Sequence, residues 1–545
     1  MYLMAIVGVL TPLSTFIYFP VLGDISRAFH LSSEFVVLTI AVHMVVQGIA
    51  PFVWMPLGDY FGRRFALITT LAIFVGANTG LLFSNSFLSL MLLRAAQAFG
   101  SADLPIIGAA VIGDISTGIE RGALIRIYGS ILMLGHLISP VLGGVLTQFF
   151  EFRSIFWFQL ALGGLSLALV TLFLPETLRN IAGNGTIRLK TYQQPLLACV
   201  KSSPDARFNS NPETITLPPT FISFVEPLDL LSHMDILGSI IFGAIAFATA
   251  VVVIATTALC LETYYRLSTL LVGLAFLPSA AGTLLGFFFI SYLLDRDYKF
   301  IETRYKTTHN IKEDTTLSLK HNSDFPIERA RLRNIWWITF SFIGATIGYG
   351  FSLSTKHIAI PLIMQFLVAF GATAILLANG VLISDLCPEN LASVTAVINL
   401  VRFCMGALAV GVVQLLFDRL DAGFVFLVFA MVTLAVTPIL AMQWMFGVKW
   451  RMEERSSSEK RSLPDRLRIL LVRPFDRLPS WSNIRGKLSI KRFSSKVRRP
   501  FRGLPPLRDL GGGTWRKNLL LRTQNLSSRV PSPREIWGKV RWTTT

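Results

Sequence analysis

The chain has 545 residues, 52% of them hydrophobic and only 15% charged, with a mean hydropathy of +0.58. Soluble domains carry about 25% charged residues, so a water-soluble globular protein is excluded. The formal net charge of +18 lies wholly in residues 447–545, which hold 25 Lys and Arg against 7 Asp and Glu, while residues 1–446 hold 25 of each sign. It therefore describes a tail and gives no sign of a nucleic-acid-binding body.

Twelve apolar runs are each long enough to cross a bilayer as a helix, which takes about 20 residues. In chain order they are 2–22, 35–55, 65–83, 87–112, 123–150, 155–174, 237–261, 270–294, 335–353, 358–383, 391–416 and 423–446. Lipid offers the backbone no partners, so these runs are expected to be helices. The first run has no basic segment before it and no small-residue cleavage site after it, so it reads as a span and not a signal peptide. Its abrupt start leads to the expectation of a further segment before Met1. Spans 2 and 3 are joined by Gly58-Asp59-Tyr60-Phe61-Gly62-Arg63-Arg64, a short charged turn hinged on glycine. Span 2 carries His43 and Gln47, four apart and so on one helix face. Span 4 carries Arg94 and Asp103, nine apart and so about 13–14 Å along a helix axis, too far to pair directly. Span 5 holds Gly135-His136-Leu137-Ile138-Ser139-Pro140-Val141-Leu142-Gly143-Gly144, a composition expected to give a kinked, closely packed helix.

After span 6 comes a polar break, 175–235, rich in Pro, Ser, Asn and Thr. It divides the spans six and six, giving an N-terminal half at 1–174 and a C-terminal half at 236–446. Two similar halves around a midplane site are the plan of transporters built from repeats. A second charged insertion, 295–334, separates spans 8 and 9. Span 10 carries Asn379, and span 11 carries Asn399 and Arg402. Polar and ionisable groups inside spans are costly and mark substrate or proton paths, although each of these also fits a purely structural role. His136 is the one whose ordinary titration lies nearest neutral pH.

Lys and Arg concentrate in one set of loops: Arg63, Arg64, Arg121, Arg126, Arg179, Arg188, Lys190, Lys201, Arg207, nine more within 295–334, and the tail. The other set holds Arg27, Arg153, Arg266, Lys356 and Arg419. The positive-inside rule makes the first set cytosolic, with both termini inside. The sequon at Asn184 then faces the cytosol and is not expected to carry a glycan. Cys199, Cys260, Cys387 and Cys404 lack paired or metal-ligand spacing, so neither a disulfide nor a metal site is expected. The tail, expected to be disordered, interleaves bases with apolar residues near Arg466 and Arg468, which suits contact with an anionic leaflet. There is no Gly-x-x-x-x-Gly-Lys-Ser/Thr loop, which points to an ion gradient and away from nucleotide as the energy source.

The turn from Gly58 to Arg64 resembles the cytoplasmic loop signature of the major facilitator superfamily. Leu93-Arg94-Ala95-Ala96-Gln97-Ala98-Phe99-Gly100 resembles its fourth-span motif. The span-5 segment resembles the motif of its antiporter branch, with Ser139 standing where Gly is usual. Ile17-Tyr18-Phe19-Pro20, Gly113-Asp114-Ile115-Ser116, Phe156-Trp157-Phe158, Leu174-Pro175-Glu176-Thr177 and Asn399-Leu400-Val401-Arg402 are similar to the twelve-span fungal drug:proton antiporter family, near its quinidine-resistance and polyamine-export members. The resemblance covers about residues 1–454. It implies an all-helical bundle of two six-helix halves and no enzymatic chemistry. The implied function is proton-coupled efflux of small organic molecules: drugs, polyamines, organic cations or weak acids. Gly58, Asp59, Gly62, Arg63 and Arg64 would gate the cytosolic side, with arginines able to pair across the halves. Arg94 and His136 would couple protons; Asp103, unusual for this branch, is a further proton-coupling candidate or else a cation determinant or a local oddity. His43, Gln47, Asn379, Asn399 and Arg402 would line the substrate path. Expected partners are a small-molecule substrate, protons and the bilayer, with no cofactor, metal or nucleic acid, in a monomer of the plasma membrane. A proton-coupled uptake symporter on the same fold, or a transport-dead sensor or truncated product, stand as alternatives.

Overall fold

The computed structural model describes residues 1–117, 120–183, 193–196, 226–232, 234–310, 324–355, 357–387 and 391–472. Most of the central break, the sequon at Asn184, Cys199 and the tail beyond 472 lie outside the described residues. Residues Met1–Ser458 form one compact unit; the second unit, Glu459–Thr545, is described only over 459–472.

Every regular element among the described residues is helical. Eleven helices are long and apolar enough to cross a membrane. The expected ninth span forms the helix Ile335–Ser352, whose Trp336, Trp337, Thr339, Ser341 and Tyr349 dilute its hydropathy. Large apolar side chains such as Leu92, Phe149, Trp157, Phe288, Leu408 and Leu415 lie on the outside of the bundle. Such a surface suits lipid and not water.

Three spans are broken where the sequence interrupts the helix ladder. Span 1 consists of Tyr2–Phe16, a 3-10 turn at Phe19–Val21 and Leu22–Phe29, so it runs seven residues past its expected end. Pro20 sits in the turn and has no N–H to give the ladder. Span 4 consists of Phe87–Ser101 and Leu104–Ile115, with Pro105 opening the second piece. Span 8 consists of Thr269–Ala275 and Leu277–Thr308. The others are Ser33–Phe61, Arg63–Leu82, Arg121–Phe150, Ser154–Phe173, Met234–Tyr265, Ala359–Leu386, Leu391–Phe417 and the first part of Ala422–Val472.

Two expectations need correction. The insertion 295–334 is not separate from span 8, because that helix continues to Thr308 with Glu302 and Lys306 paired at 2.8 Å one turn apart. A short helix, Ile327–Leu332, then leads into span 9. The tail expected from residue 447 also begins as helix and runs to Val472.

The buried apolar clusters show where the halves meet. One joins Leu13, Ile17 and Val36 of the first half to Ala258, Leu261, Phe276 and Val410 of the second. Its members lie in the halves of the spans away from the Gly58–Arg64 turn, from mid-span residues such as Met44 and Ala407 to the far ends. Nearer the turn, one core belongs to the first half alone, around Leu67, Leu71, Phe74 and Val111. Another belongs to the second half and runs its full height, from Leu382 on the turn side to Phe426 at the far face, while on the turn side Phe52 of span 2 packs against a second-half cluster of Ile236, Ile240, Ile383 and Val394. Polar contacts reinforce closure at the far face. Arg27 Nη1 donates to Glu262 Oε1 at 2.6 Å and Thr269 Oγ1 donates to Asp24 Oδ2 at 2.9 Å.

Candidate functional site

The charged turn is built around a buried carboxylate. Glu176 accepts the backbone N–H of Arg63 at 2.9 Å, Arg64 at 3.2 Å, and Thr177 and Leu178 at 3.0 Å each. It thereby satisfies orphan donors at the start of span 3, where a negative charge also meets the helix dipole. Gly62 has φ +108°, and a Cβ there would run into the Glu176 carboxylate, so only glycine fits this position. Gly58 has ordinary room for a side chain. Arg64 is buried and donates to the carbonyls of Val170 and Thr171, each at 3.0 Å, and of Leu174, tying off the end of span 6. Arg63 pairs with Asp59 at 2.6 Å and lies 3.8 Å from Asp114. These partners, Asp59 and Asp114, belong to the first half, so here Arg63 braces the half it comes from.

Arg94 is 1% exposed. Its Nη1 donates to Gln97 Oε1 at 2.5 Å and to the Ser14 carbonyl at 3.3 Å, and its guanidinium lies 4.0 Å over the Tyr18 ring. Gln97 in turn donates to Asn78 at 2.7 Å and to Gln159. This chain links spans 1, 3, 4 and 6. His43 faces the Arg94 carbonyl at 3.3 Å through Nδ1 and Thr15 at 3.4 Å through Nε2. One turn along, Gln47 is buried with no partner for its Oε1. Asp103 sits in the break of span 4, fully buried, and neither carboxyl oxygen has a hydrogen-bond partner. It does not meet Arg94.

The span-5 segment is a packing surface. A Cβ at Gly135 would press on Pro12 at 2.9 Å, and one at Gly143 would strike the Ile17 carbonyl. Gly144 meets Gly273 of span 8, where an added Cβ would lie 3.0 Å from the Gly273 Cα and 2.9 Å from the Thr269 carbonyl. Ser139 is buried and bonds back to the Gly135 carbonyl, and Pro140 is buried beside it. Its hydroxyl is thus accommodated where a glycine is usual. His136 is half-buried, its ring 4.7 Å from Phe16 and its Nδ1 3.1 Å from the Leu132 carbonyl.

In the second half, Asn379 donates to the Ser239 carbonyl at 2.6 Å, and its Oδ1 has no partner. Arg402 lies midway along span 11 and is only half-buried. Its Nη2 donates to the Leu376 carbonyl at 3.1 Å, and among the described residues no carboxylate pairs with it. Gly243 faces both, since a Cβ there would lie 2.7 Å from Asn379 Nδ2 and 3.7 Å from Arg402 Nη2. Asn399, one turn earlier, is half-buried.

Sequence reasoning gave no role to Glu176, Asn78, Gln159, Tyr18 or the Asp24–Arg27–Glu262 cluster. Asn78 and Gln159 were visible as polar residues in apolar runs. Their mutual partner was not, because it lies on a third helix.

Residues 4–308 match the model of the Major Facilitator Superfamily. The chain is 39% identical to "Citrate exporter 1" of Aspergillus niger over 82% of its own length and 86% of that protein. It is 28% identical to "MFS antiporter QDR2" of Candida albicans over 77% and 83% respectively. In fold it is similar to the xylose transporter XylE from E. coli, with a TM-score of 0.53 at 14% identity, covering 82% of this chain and 96% of that one.

Proposed function

The chain belongs to the Major Facilitator Superfamily, as a multi-pass membrane transporter and not an enzyme, and we propose that it exports small organic acids, as carboxylate anions, in exchange for protons. The observation that carries this reading is Arg402. A guanidinium inside a membrane bundle is costly unless paired, and this one is half-buried with a single carbonyl partner. Its five donors form a planar fork that matches a carboxylate. Asn379 lies beside it with an uncommitted carbonyl oxygen, able to accept from a hydroxyl or an undissociated acid group. The citrate exporter from Aspergillus niger supports the same substrate class.

Export of organic cations, drugs or polyamines finds less support in the site. The intramembrane carboxylate best placed to attract a cation, Asp103, is fully enclosed. The close packing of span 5 against spans 1 and 8 supports the antiport direction through the resemblance of that segment. The positive loops and the +18 tail support an orientation with both termini cytosolic.

The test is citrate uptake into inside-out vesicles with an acidic interior. Arg402→Gln is expected to lower apparent citrate affinity roughly 10- to 100-fold, since charge-assisted hydrogen bonds are worth about 1.5–3 kcal/mol. Arg402→Lys keeps the charge and should retain part of it. Wild-type citrate transport by Arg402→Gln at equal abundance, or transport of organic cations but no carboxylate, would defeat the proposal.

A further inference from the structure

Asp103 is held in an unusual place. Ala102 and Asp103 form the turn between the two pieces of span 4, and Pro105 keeps the ladder from closing across it. Every neighbouring surface seals the carboxyl in. Trp54 of span 2 donates its indole N–H to the Phe99 carbonyl at 2.9 Å, and Trp54 and Ala102 share a small apolar cluster with Leu57, Ile73 and Phe99. Thr11 and Ser14 of span 1 bond to Ser101. Tyr128 of span 5 donates to the Pro105 carbonyl at 3.1 Å. No hydrogen bond to Asp103 occurs among the described residues; the charges whose field acts on it are Arg63 and Asp59 at the charged turn. The helix from Leu104 to Ile115 continues from Asp103 to Asp114, which itself lies 3.8 Å from Arg63.

Resting on the proton-exchange reading above, we propose that Asp103 carries the coupled proton and that its ionisation acts on the charged turn through Arg63. A carboxylate with no donor on either oxygen cannot remain ionised at low cost in an apolar enclosure. The neutral acid is the form that fits the conformation seen here, with the halves joined at the face opposite the turn. With Asp103 neutral, Arg63 is shared between Asp59 and Asp114. Loss of the proton toward the cytosol places a third carboxylate within the field of the same guanidinium, whose Nε has no hydrogen-bond partner in this conformation. Arg63 is drawn along the second piece of span 4, and the brace between spans 2, 3 and 4 is remade. No covalent step is involved; the conformational change that opens the enclosure lets the proton leave an Asp103 oxygen.

Two measurements on full-length protein in liposomes test this, one of them independent of substrate. Infrared difference spectra of wild type against Asp103→Asn should isolate a protonated-carboxyl C=O band that fades as pH rises. In parallel, Asp103→Asn should exchange labelled citrate for citrate without a pH gradient, yet fail to accumulate it when a gradient is imposed. Should Asp103→Asn not insert, Asp103→Glu is expected to keep the band at a shifted frequency and midpoint. The absence of a band assignable to residue 103, a band unaffected by pH, or gradient-driven accumulation by Asp103→Asn at the wild-type rate would overturn the assignment. If wild type moves no citrate, the organic-acid reading fails, while the infrared result still decides the role of Asp103.

Discussion

Arg94 and Arg402 are guanidiniums set inside the bundle, one in each half, and they are held in opposite ways. Arg94 is enclosed, stacked on Tyr18 and bonded into a chain of amides through Gln97, Asn78 and Gln159. Arg402 is partly buried, with one carbonyl partner. Burying either charge carries the same kind of desolvation cost. In the first half, polar side chains from four spans offset it, which makes the arginine part of the framework. In the second, Arg402 has a single carbonyl partner, which leaves it to the proposed carboxylate substrate to supply the rest. The difference belongs to the two arginines and not to the halves as a whole, since uncommitted polar atoms occur in both: Gln47 Oε1 and both Asp103 oxygens in the first, Asn379 Oδ1 and both side-chain amide atoms of Gln365 in the second.

The sharpest way to break this comparison is to remove each charge and measure stability. Arg94→Ala strips a donor from Gln97 and from the Ser14 carbonyl, and buried polar groups left unsatisfied cost about 1–3 kcal/mol each. Its thermal unfolding midpoint in detergent should fall clearly, with reduced abundance in the membrane. Arg402→Gln loses one carbonyl bond, about 1 kcal/mol, and should unfold close to wild type. If Arg402→Gln proves the less stable of the two, the division into framework and recognition is wrong.

Much of this bundle was legible in the sequence, because lipid imposes one rule on every span. Apolar length located the helices, and Gly62 announced a turn that no other residue could make. The breaks were less visible. Pro20, Pro105 and Pro278 mark all three, yet Pro51, Pro56 and Pro140 sit inside unbroken helices, so proline alone does not tell a break from a kink. The extension of span 8 to Thr308 was missed because hydropathy stops at the bilayer edge while helix propensity does not. At the site, Arg94, Asp103 and Arg402 stood out as polar residues in apolar runs. What separated them was their partners, and those come from spans distant in sequence: Gln97 and Gln159 are 62 residues apart and Arg27 and Glu262 are 235 apart. The loop arginines, expected to pair across the halves, were found braced against Asp59, Asp114 and the end of span 6. Arg64 has the shape to cap carbonyls there, a local use that spacing cannot distinguish from a long-range one.

A smaller effect is expected where the halves touch. Gly144 and Gly273 let spans 5 and 8 approach so closely that an added Cβ at Gly144 would lie 2.9 Å from the Thr269 carbonyl. Overpacking costs about 1–3 kcal/mol, and here it falls only on the conformer in which this face is closed. A change of about 1.4 kcal/mol moves the ratio of conformers tenfold. Gly144→Ala should therefore raise the labelling of a cysteine placed at Gln148, next to Leu270 at that face, by up to about that factor. Unchanged labelling alongside impaired transport would show that the contact serves something other than closure.

The smallest expected effect tests the comparison away from the membrane, through one buried carboxylate in each half. Glu176 is satisfied by four backbone N–H groups. Glu328, in the short helix before span 9, is 1% exposed and faces Arg451 at 3.3 Å. Burial pushes the Glu328 carboxyl up by more than Arg451 pulls it down. The folded protein thus holds this proton more tightly than the unfolded chain does. That contribution to stability is fully present below the ordinary glutamate range and is lost as pH rises through the raised value. Glu328→Gln fixes the neutral form. Relative to wild type it should gain stability on going from about pH 5 to about pH 8, by roughly 1 kcal/mol or less, given that one pKa unit corresponds to about 1.4 kcal/mol. Thermal midpoints measured across that range would show a flatter slope in the variant. A steeper slope, or a loss of stability that grows with pH, would mean that the ion pair with Arg451 outweighs burial, and that the second half is wired at this point as firmly as the first.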